Sequence, residues 1–185
     1  MGTRYDQIEP ALQRFIEKQH IFFTGTAGPS GRVNVSPKGM DSLRVLGPNR
    51  IIWRNMTGSG NETAPHLDAN PRMTLMWCAF EGPPMILRTY GTARAIHRLD
   101  EDWDALDAHF PADPAARQIF DLSVDLVQKS CGYAVPEMAY KNDRDVLINW
   151  AEKKGEDGIK DYWVTRNDTT IDGVPTDIAR RSIPK

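Results

Sequence analysis

Between residues 20 and 97 the chain is a succession of short extended segments separated by turn residues, and nothing else in the sequence restricts the fold as much. His20 to Ala27 is rich in β-formers and runs into Gly28-Pro29-Ser30-Gly31, a hairpin turn. Arg32 to Ser36 alternates polar and apolar residues, the period of a strand with one buried face; Pro37 then ends the ladder and leaves Lys38 at its mouth. Ser42 to Leu46 and Arg50 to Asn55 flank a turn at Gly47-Pro48-Asn49. Arg72 to Phe80 is apolar enough to be buried on both faces, and Met85 to His97 is a long strand interrupted at Gly91, where a bulge or a close backbone approach is expected. Some six antiparallel strands joined by such short turns leave unpaired edges unless the sheet closes, so the expected fold is an antiparallel β-barrel of the α+β class.

Helices are expected to flank this barrel. Ile8, Leu12, Phe15 and Ile16 recur at helical spacing within Gln7 to Lys18, which reads as a helix capping an open barrel end. After Leu99 the period turns helical in three segments: Asp100 to Phe110, Asp113 to Ser130 (Phe120, Val124, Val127) and Asp143 to Lys154 (Val146, Leu147, Trp150). The expectation is one domain over residues 1–185, with the barrel at about 20–98 and a helical extension and tail at about 99–185. The tail from Trp163 onward is expected to be mobile unless docked on a partner subunit.

A formal charge of −2 gives no electrostatic reason to expect nucleic acid or an anionic membrane as partner. Apolar runs such as Met73 to Phe80 are too short to cross a bilayer, and Met1 to Asp6 shows no apolar signal region, so the expected location is cytoplasmic. Cys78 and Cys131 lack the spacing of a zinc or redox pair and are expected to be separate thiols.

Common catalytic constellations are missing. His20, His66, His97 and His109 show no metal-ligand spacing, there is no G-x-S-x-G elbow, and no Gly-Lys-Ser/Thr follows the first glycine turn, so no metal is expected. What remains is Thr57-Gly58-Ser59-Gly60-Asn61-Glu62-Thr63, between the strand Ile51-Ile52-Trp53 and a short helix over residues 64–70. A glycine-rich turn that delivers backbone N–H groups to a helix start can hold a phosphate. Lys38 adds a point charge, Arg54 and Asn55 follow the strand, and Thr57, Ser59 and Thr63 supply hydroxyls. This set suits a ligand with a phosphate and a planar, hydrogen-bonding head. Glu62 opposes it, and its carboxylate at a helix start allows the other reading, a capped helix with no ligand.

The order of Val33-Asn34-Val35-Ser36-Pro37-Lys38-Gly39, the strand from Ile51 to Asn55, the glycine turn, Ala69-Asn70-Pro71-Arg72 and Leu87-Arg88-Thr89-Tyr90-Gly91-Thr92-Ala93 resembles the pyridoxamine 5'-phosphate oxidase-like family of split-barrel flavoproteins. Cys131-Gly132-Tyr133-Ala134-Val135-Pro136, residues 150–155 and Ile171-Asp172-Gly173-Val174-Pro175 look like one branch of it. The resemblance implies a six-stranded split barrel that forms a homodimer with FMN in grooves at the interface. On this sequence it implies that Ser36, Pro37, Lys38 and Gly39 meet the ring or ribityl chain, and that Trp53, Arg54, Asn55 and Met56 lie along the isoalloxazine. It further implies that Thr57, Gly58, Ser59, Gly60, Asn61, Glu62 and Thr63 hold the phosphate, and that the strand of Arg88 and Tyr90 reaches the flavin, from either subunit. A substrate would stack against Trp77, Tyr133 or Trp163. The sequence departs from the oxidases where they place an Arg-Lys pair, having Glu62 and Thr63 instead, and it lacks their C-terminal tryptophan and arginine segment. The function implied is therefore an FMN-dependent oxidoreductase acting on something other than pyridoxamine phosphate. The alternatives are a non-catalytic binder of FMN, a deazaflavin or haem, and a structural module.

Overall fold

A computed structural model describes residues 2–184. In chain order its elements are β1 (Thr3–Tyr5), α1 (Pro10–Glu17), β2 (Phe22–Thr26), β3 (Asn34–Lys38), β4 (Leu43–Gly47), β5 (Arg50–Met56), α2 (Thr63–Ala69), β6 (Arg72–Cys78), β7 (Ile86–His97), α3 (Trp103–Asp107), β8 (Ala116–Ser130), α4 (Val146–Arg166) and α5 (Ile178–Ser182). One antiparallel sheet runs in the order β3-β2-β6-β7-β8-β5-β4, with β1 added alongside β8. Among the described residues β3 and β4 do not pair with each other, so the curled sheet is split along that seam.

The interior follows from strand alternation. Trp53, Leu75, Leu87, Phe120 and Leu122 are fully buried and meet inside the barrel. Each such side chain contributes roughly 1.5–3 kcal/mol by leaving water. Ile8, Leu12 and Ile16 of α1 join the same cluster, so that helix closes a barrel end as its periodicity indicates. A second cluster packs Trp103, Leu106 and Phe110 against Ile52, Ile96 and Ile119 on the outer face. Among the described residues no helix is long and apolar enough to cross a membrane.

Three expectations are corrected. Among the described residues the sheet has eight strands, not six. Residues 113–130, expected as a helix, contain the central strand β8, which pairs with β1, β5 and β7. Phe120, Val124 and Val127 fit a helical stripe by coincidence, whereas Leu122, Ser123, Val124 and Asp125 alternate buried and exposed, the strand period. The sheet therefore continues well past residue 98. Finally, the tail docks on its own chain: Trp163 and Ile178 are fully buried with Ala115 and Ala151. Arg181 pairs with Asp100 at 2.8 Å, and Ser182 lies 3.3 Å from His97 Nδ1.

Gly91 behaves as its sequence position suggests. The β7–β8 register shifts between Tyr90 and Gly91, and the Ser123 carbonyl of β8 lies directly against the glycine. That is a β-bulge with a close backbone approach.

Candidate functional site

The glycine turn forms one wall of a cleft of about 230 Å³ whose other walls are β3, the end of β5 and the start of β8. Of the residues expected at a ligand site, the structure brings together Ser36, Pro37, Lys38, Asn55, Met56, Gly58, Ser59, Gly60, Asn61, Glu62 and Thr63. Asn34 and Arg117, which sequence reasoning did not place there, complete the lining.

Strand alternation decides which side chains reach the cleft. On β5, Trp53 and Asn55 share one face and Arg54 the other. Asn55 therefore turns inward, accepting from Lys38 Nζ at 3.3 Å and donating to Gln118 Oε1 at 3.0 Å. Trp53 is part of the core, 4.5 Å from Phe120 between ring centroids, and serves as the floor under Lys38, whose ammonium sits 5.3 Å from its ring centre. Arg54 points to the opposite face, where it donates to Asp107 at 3.1 Å and to the Pro111 carbonyl at 2.6 Å. It holds α3 and takes no part in the cleft.

Thr57 is fully buried, its hydroxyl donating to the Ala115 carbonyl and accepting from Trp163 Nε1. Gly39 lies beside the His20 carbonyl, outside the cleft. Arg88 bonds Ser130 on β8, also outside it. Trp77 and Trp163, expected to stack on a substrate, are core residues, while Tyr133 is exposed.

On β3, Asn34, Ser36 and Lys38 face inward. Asn34 reaches Thr63 Oγ1 at 3.2 Å and receives Ser36 Oγ at 3.1 Å, tying the strand to the start of α2. That helix has seven residues, and Glu62 makes no side-chain cap bond to it. The Glu62 carboxylate folds back against Gly60 instead. So short a helix has little dipole to offer, and the positive charge of the site must come from side chains.

Arg117 is the main source. Asn55 pairs with Gln118 but Met56 pairs with Ala116, so Arg117 is the extra residue of a bulge on β8 and has no partner on β5. Bulges re-aim side chains next to functional sites. Arg117 is 2% exposed and donates to Gly60 O at 2.9 Å and Asn167 Oδ1 at 2.7 Å, with Gly58 O farther at 3.5 Å. Its Nε is buried without a partner. The sequence signal for Arg117 was an arginine in a strand-period segment, hidden once that segment was read as a helix.

Among the described residues neither Arg117 nor Lys38 forms an ion pair with a carboxylate. Burial lowers the Arg117 guanidinium to about 10, Glu62 acting in the opposite sense. Lys38 is partly buried and its head group lies within the cleft; burial there, and next the Arg117 charge, lower it to about 8, again against Glu62. Two cations near enough that Arg117 depresses Lys38, one of them fully buried, form a cleft suited to an anion.

A larger groove of about 760 Å³ lies between α1 and residues 79–83, lined by Phe15, Ile21, Phe80, Met138 and Tyr140. Its cations, Arg14 and Lys18, are exposed and solvated, so the site is assigned to the smaller cleft.

The family model described as Pyridoxamine 5'-phosphate oxidase matches residues 8–131, from just before α1 to the end of β8. The Pyridoxamine 5'-phosphate oxidase family protein ustO of Aspergillus flavus is 31% identical over 195 residues, an alignment covering 95% of this chain and 78% of that protein. Two solved structures share the fold. A histidine-to-alanine variant of HupZ from Group A Streptococcus aligns at a TM-score of 0.54 and 17% identity, over 66% of this chain and 99% of that one. LDB0262 of Lactobacillus delbrueckii, a proposed pyridoxamine 5'-phosphate oxidase, aligns at 0.52 and 19% identity, over 68% of this chain and 97% of that one.

Proposed function

This chain belongs to the pyridoxamine 5'-phosphate oxidase family, and on that premise we propose that it is an FMN-binding oxidoreductase whose cofactor phosphate occupies the cleft between β3 and the glycine turn. The observation that carries this reading is the pair Arg117 and Lys38, facing one cleft with no carboxylate in ion-pair contact and with Arg117 Nε unpartnered. Keeping a buried cation unpaired costs free energy that a phosphate would offset.

FMN, when bound, supplies two-electron redox chemistry through its ring. This chain's residues bind and orient. Arg117 provides a fixed guanidinium at the base of the cleft, and Asn55 holds the Lys38 ammonium over the Trp53 ring. Pro37 and Met56 add apolar surface to the walls. Where the oxidases carry an Arg-Lys pair this turn carries Glu62 and Thr63, which supports a substrate other than pyridoxamine phosphate.

The cleft lies below the roughly 300–1,000 Å³ of sites that enclose drug-sized ligands, so one chain would leave much of FMN exposed. Beside it, Val33, just before edge strand β3, is 71% exposed and Val35 within that strand 65%. An apolar, unpaired edge next to an incomplete cleft favours a homodimer with the second copy closing the site.

Titration of the cofactor-stripped protein with FMN, followed by absorbance and fluorescence, tests the reading. Saturable binding at micromolar or lower concentration is the expected result; a folded, dimeric protein that takes up no FMN overturns it. Turnover of reduced nicotinamide under air separates an oxidoreductase from a pure binder.

Lys38→Ala is expected to weaken FMN binding at least about tenfold, the scale of one charge-assisted hydrogen bond. The pH dependence has a definite sign. A bound anion favours the protonated amine, so above the second phosphate pKa of about 6 affinity is steady up to the Lys38 value of about 8 and falls as pH rises through it. The slope approaches roughly tenfold per unit, and Lys38→Ala abolishes it. Glu62→Gln removes the opposing charge and should tighten FMN about threefold to tenfold; unchanged or weaker binding would show that Glu62 does not compete with the ligand.

A further inference from the structure

The carbonyls of Gly58, Ser59 and Gly60 all turn away from solvent onto two side chains. Asn167 Nδ2 donates to Gly58 O at 2.9 Å and more loosely to Ser59 O at 3.4 Å, and Arg117 donates to Gly60 O at 2.9 Å. Every described peptide bond is trans, and in a trans peptide the N–H points opposite to the preceding C=O. The amides of Ser59, Gly60 and Asn61 are therefore directed away from the clamp, and among the described residues they donate to no protein acceptor. Successive unpaired amides on one side of a turn form a concave anion site, and Ser59, Gly60 and Asn61 line the same cleft as Lys38.

Asn167 is the C-terminal cap of α4 and is fully buried. Its backbone carbonyl accepts from Asn61 Nδ2 at 3.3 Å and from Thr176 Oγ1, and its Oδ1 accepts from Arg117. One turn earlier, Trp163 Nε1 donates to Thr57 Oγ1 at 2.9 Å. The end of α4 thus grips the glycine turn at its first residue, along its carbonyls and at its last asparagine. The contacts with the turn are all long-range; Asn167 and Gly58 are 109 residues apart.

We propose that Asn167 is a positioning residue of the anion site: by holding the Gly58 and Ser59 carbonyls and the Arg117 guanidinium inward, it presents the Ser59, Gly60 and Asn61 amides to a phosphate group. The C-terminal extension is then a required part of the site. This deepens the cofactor reading and rests on the cleft being an anion site, but the arrangement of the turn can be tested without a flavin.

The test uses the full chain, inorganic phosphate and two flavins. In wild type, phosphate shifts the amide NMR signals of Ser59, Gly60 and Asn61 and slows their hydrogen exchange. In Asn167→Ala these effects are lost, exchange at the three amides is faster without ligand, and FMN binds at least thirtyfold more weakly. Riboflavin, which has the same ring and no phosphate, moves less than threefold. Phosphate and FMN affinities within threefold of wild type in Asn167→Ala overturn the proposal, as does an equal loss of FMN and riboflavin. Absence of any phosphate effect at the three amides in wild type also overturns it. Should wild type bind phosphate there but not FMN, the cofactor reading fails and the role of Asn167 stands. Trp163→Phe removes the bond to Thr57 and part of the buried ring while leaving Asn167 in place, so it serves if Asn167→Ala fails to fold. Phosphate binding weakened threefold to tenfold, measured well below the lowered melting temperature where the variant is folded, is then expected, and no change overturns the proposal.

Discussion

Replacing Arg117 with Met is expected to weaken FMN binding by at least about a hundredfold. A desolvated guanidinium–phosphate contact is worth about 3 kcal/mol in charge-assisted hydrogen bonding. Met retains much of the apolar volume of the arginine stem, so the loss is of charge and donors rather than of packing. The effect on the free protein should be far smaller. The fold holds this guanidinium 2% exposed with no carboxylate partner, and removing an uncompensated buried charge relieves a cost even as it strips Gly60 O and Asn167 Oδ1 of a donor. The stability of apo Arg117→Met is expected to fall by no more than about 2 kcal/mol. Arg117→Lys keeps a charge without the planar fork and should lie between, about tenfold weaker than wild type. Flavin titration and denaturant unfolding of the three proteins check the contrast. Wild-type affinity in Arg117→Met would remove this residue from the site.

The largest expected effect on folding belongs to Gly91→Ala. A methyl group there would overlap the Ser123 carbonyl oxygen and lie 3.1 Å from the Val124 α-carbon, both backbone atoms of the central strand. Flexible side chains can yield to an added methyl, but this carbonyl cannot move without disturbing the longest ladder in the sheet, from Ile86–Ser130 to His97–Gln118. A cost of about 3 kcal/mol is expected, corresponding to a fall in melting temperature of roughly 6–12 °C for a chain of this size. Gly47→Ala is the control: nothing lies within 4 Å of its added methyl and its φ is not positive, so it should change stability by less than about 0.5 kcal/mol. Equal melting temperatures for the two variants would show that the β7–β8 bulge absorbs the methyl.

The two variants act on features that were unequally visible in the amino-acid sequence. Gly91 was legible because glycine within a β-forming segment has few other uses, and the barrel, α1 and the glycine turn were legible from the alternation and turn residues around them. Arg117 was not. Phe120, Val124 and Val127 satisfy a helical stripe as well as a strand, and local periodicity alone does not choose when a segment is buried on both faces at one end. The choice was made by β1, β5 and β7, which pair with β8 from distant parts of the chain.

The candidate site divides in the same way. Sequence alone determined that β3, the end of β5 and the turn from Gly58 to Thr63 would carry polar groups suited to a phosphate, because residue type and spacing over a few positions specify strand faces and turns. Tertiary structure decided that Arg54 leaves this group to hold α3 and that a bulge brings Arg117 into it. It also decided that the tail returns to clamp the turn through Asn167. Each of those outcomes joins residues about 50 to 110 positions apart. Hydrogen-bond satisfaction and burial across the curled sheet select such pairings, and no local pattern in the chain records them.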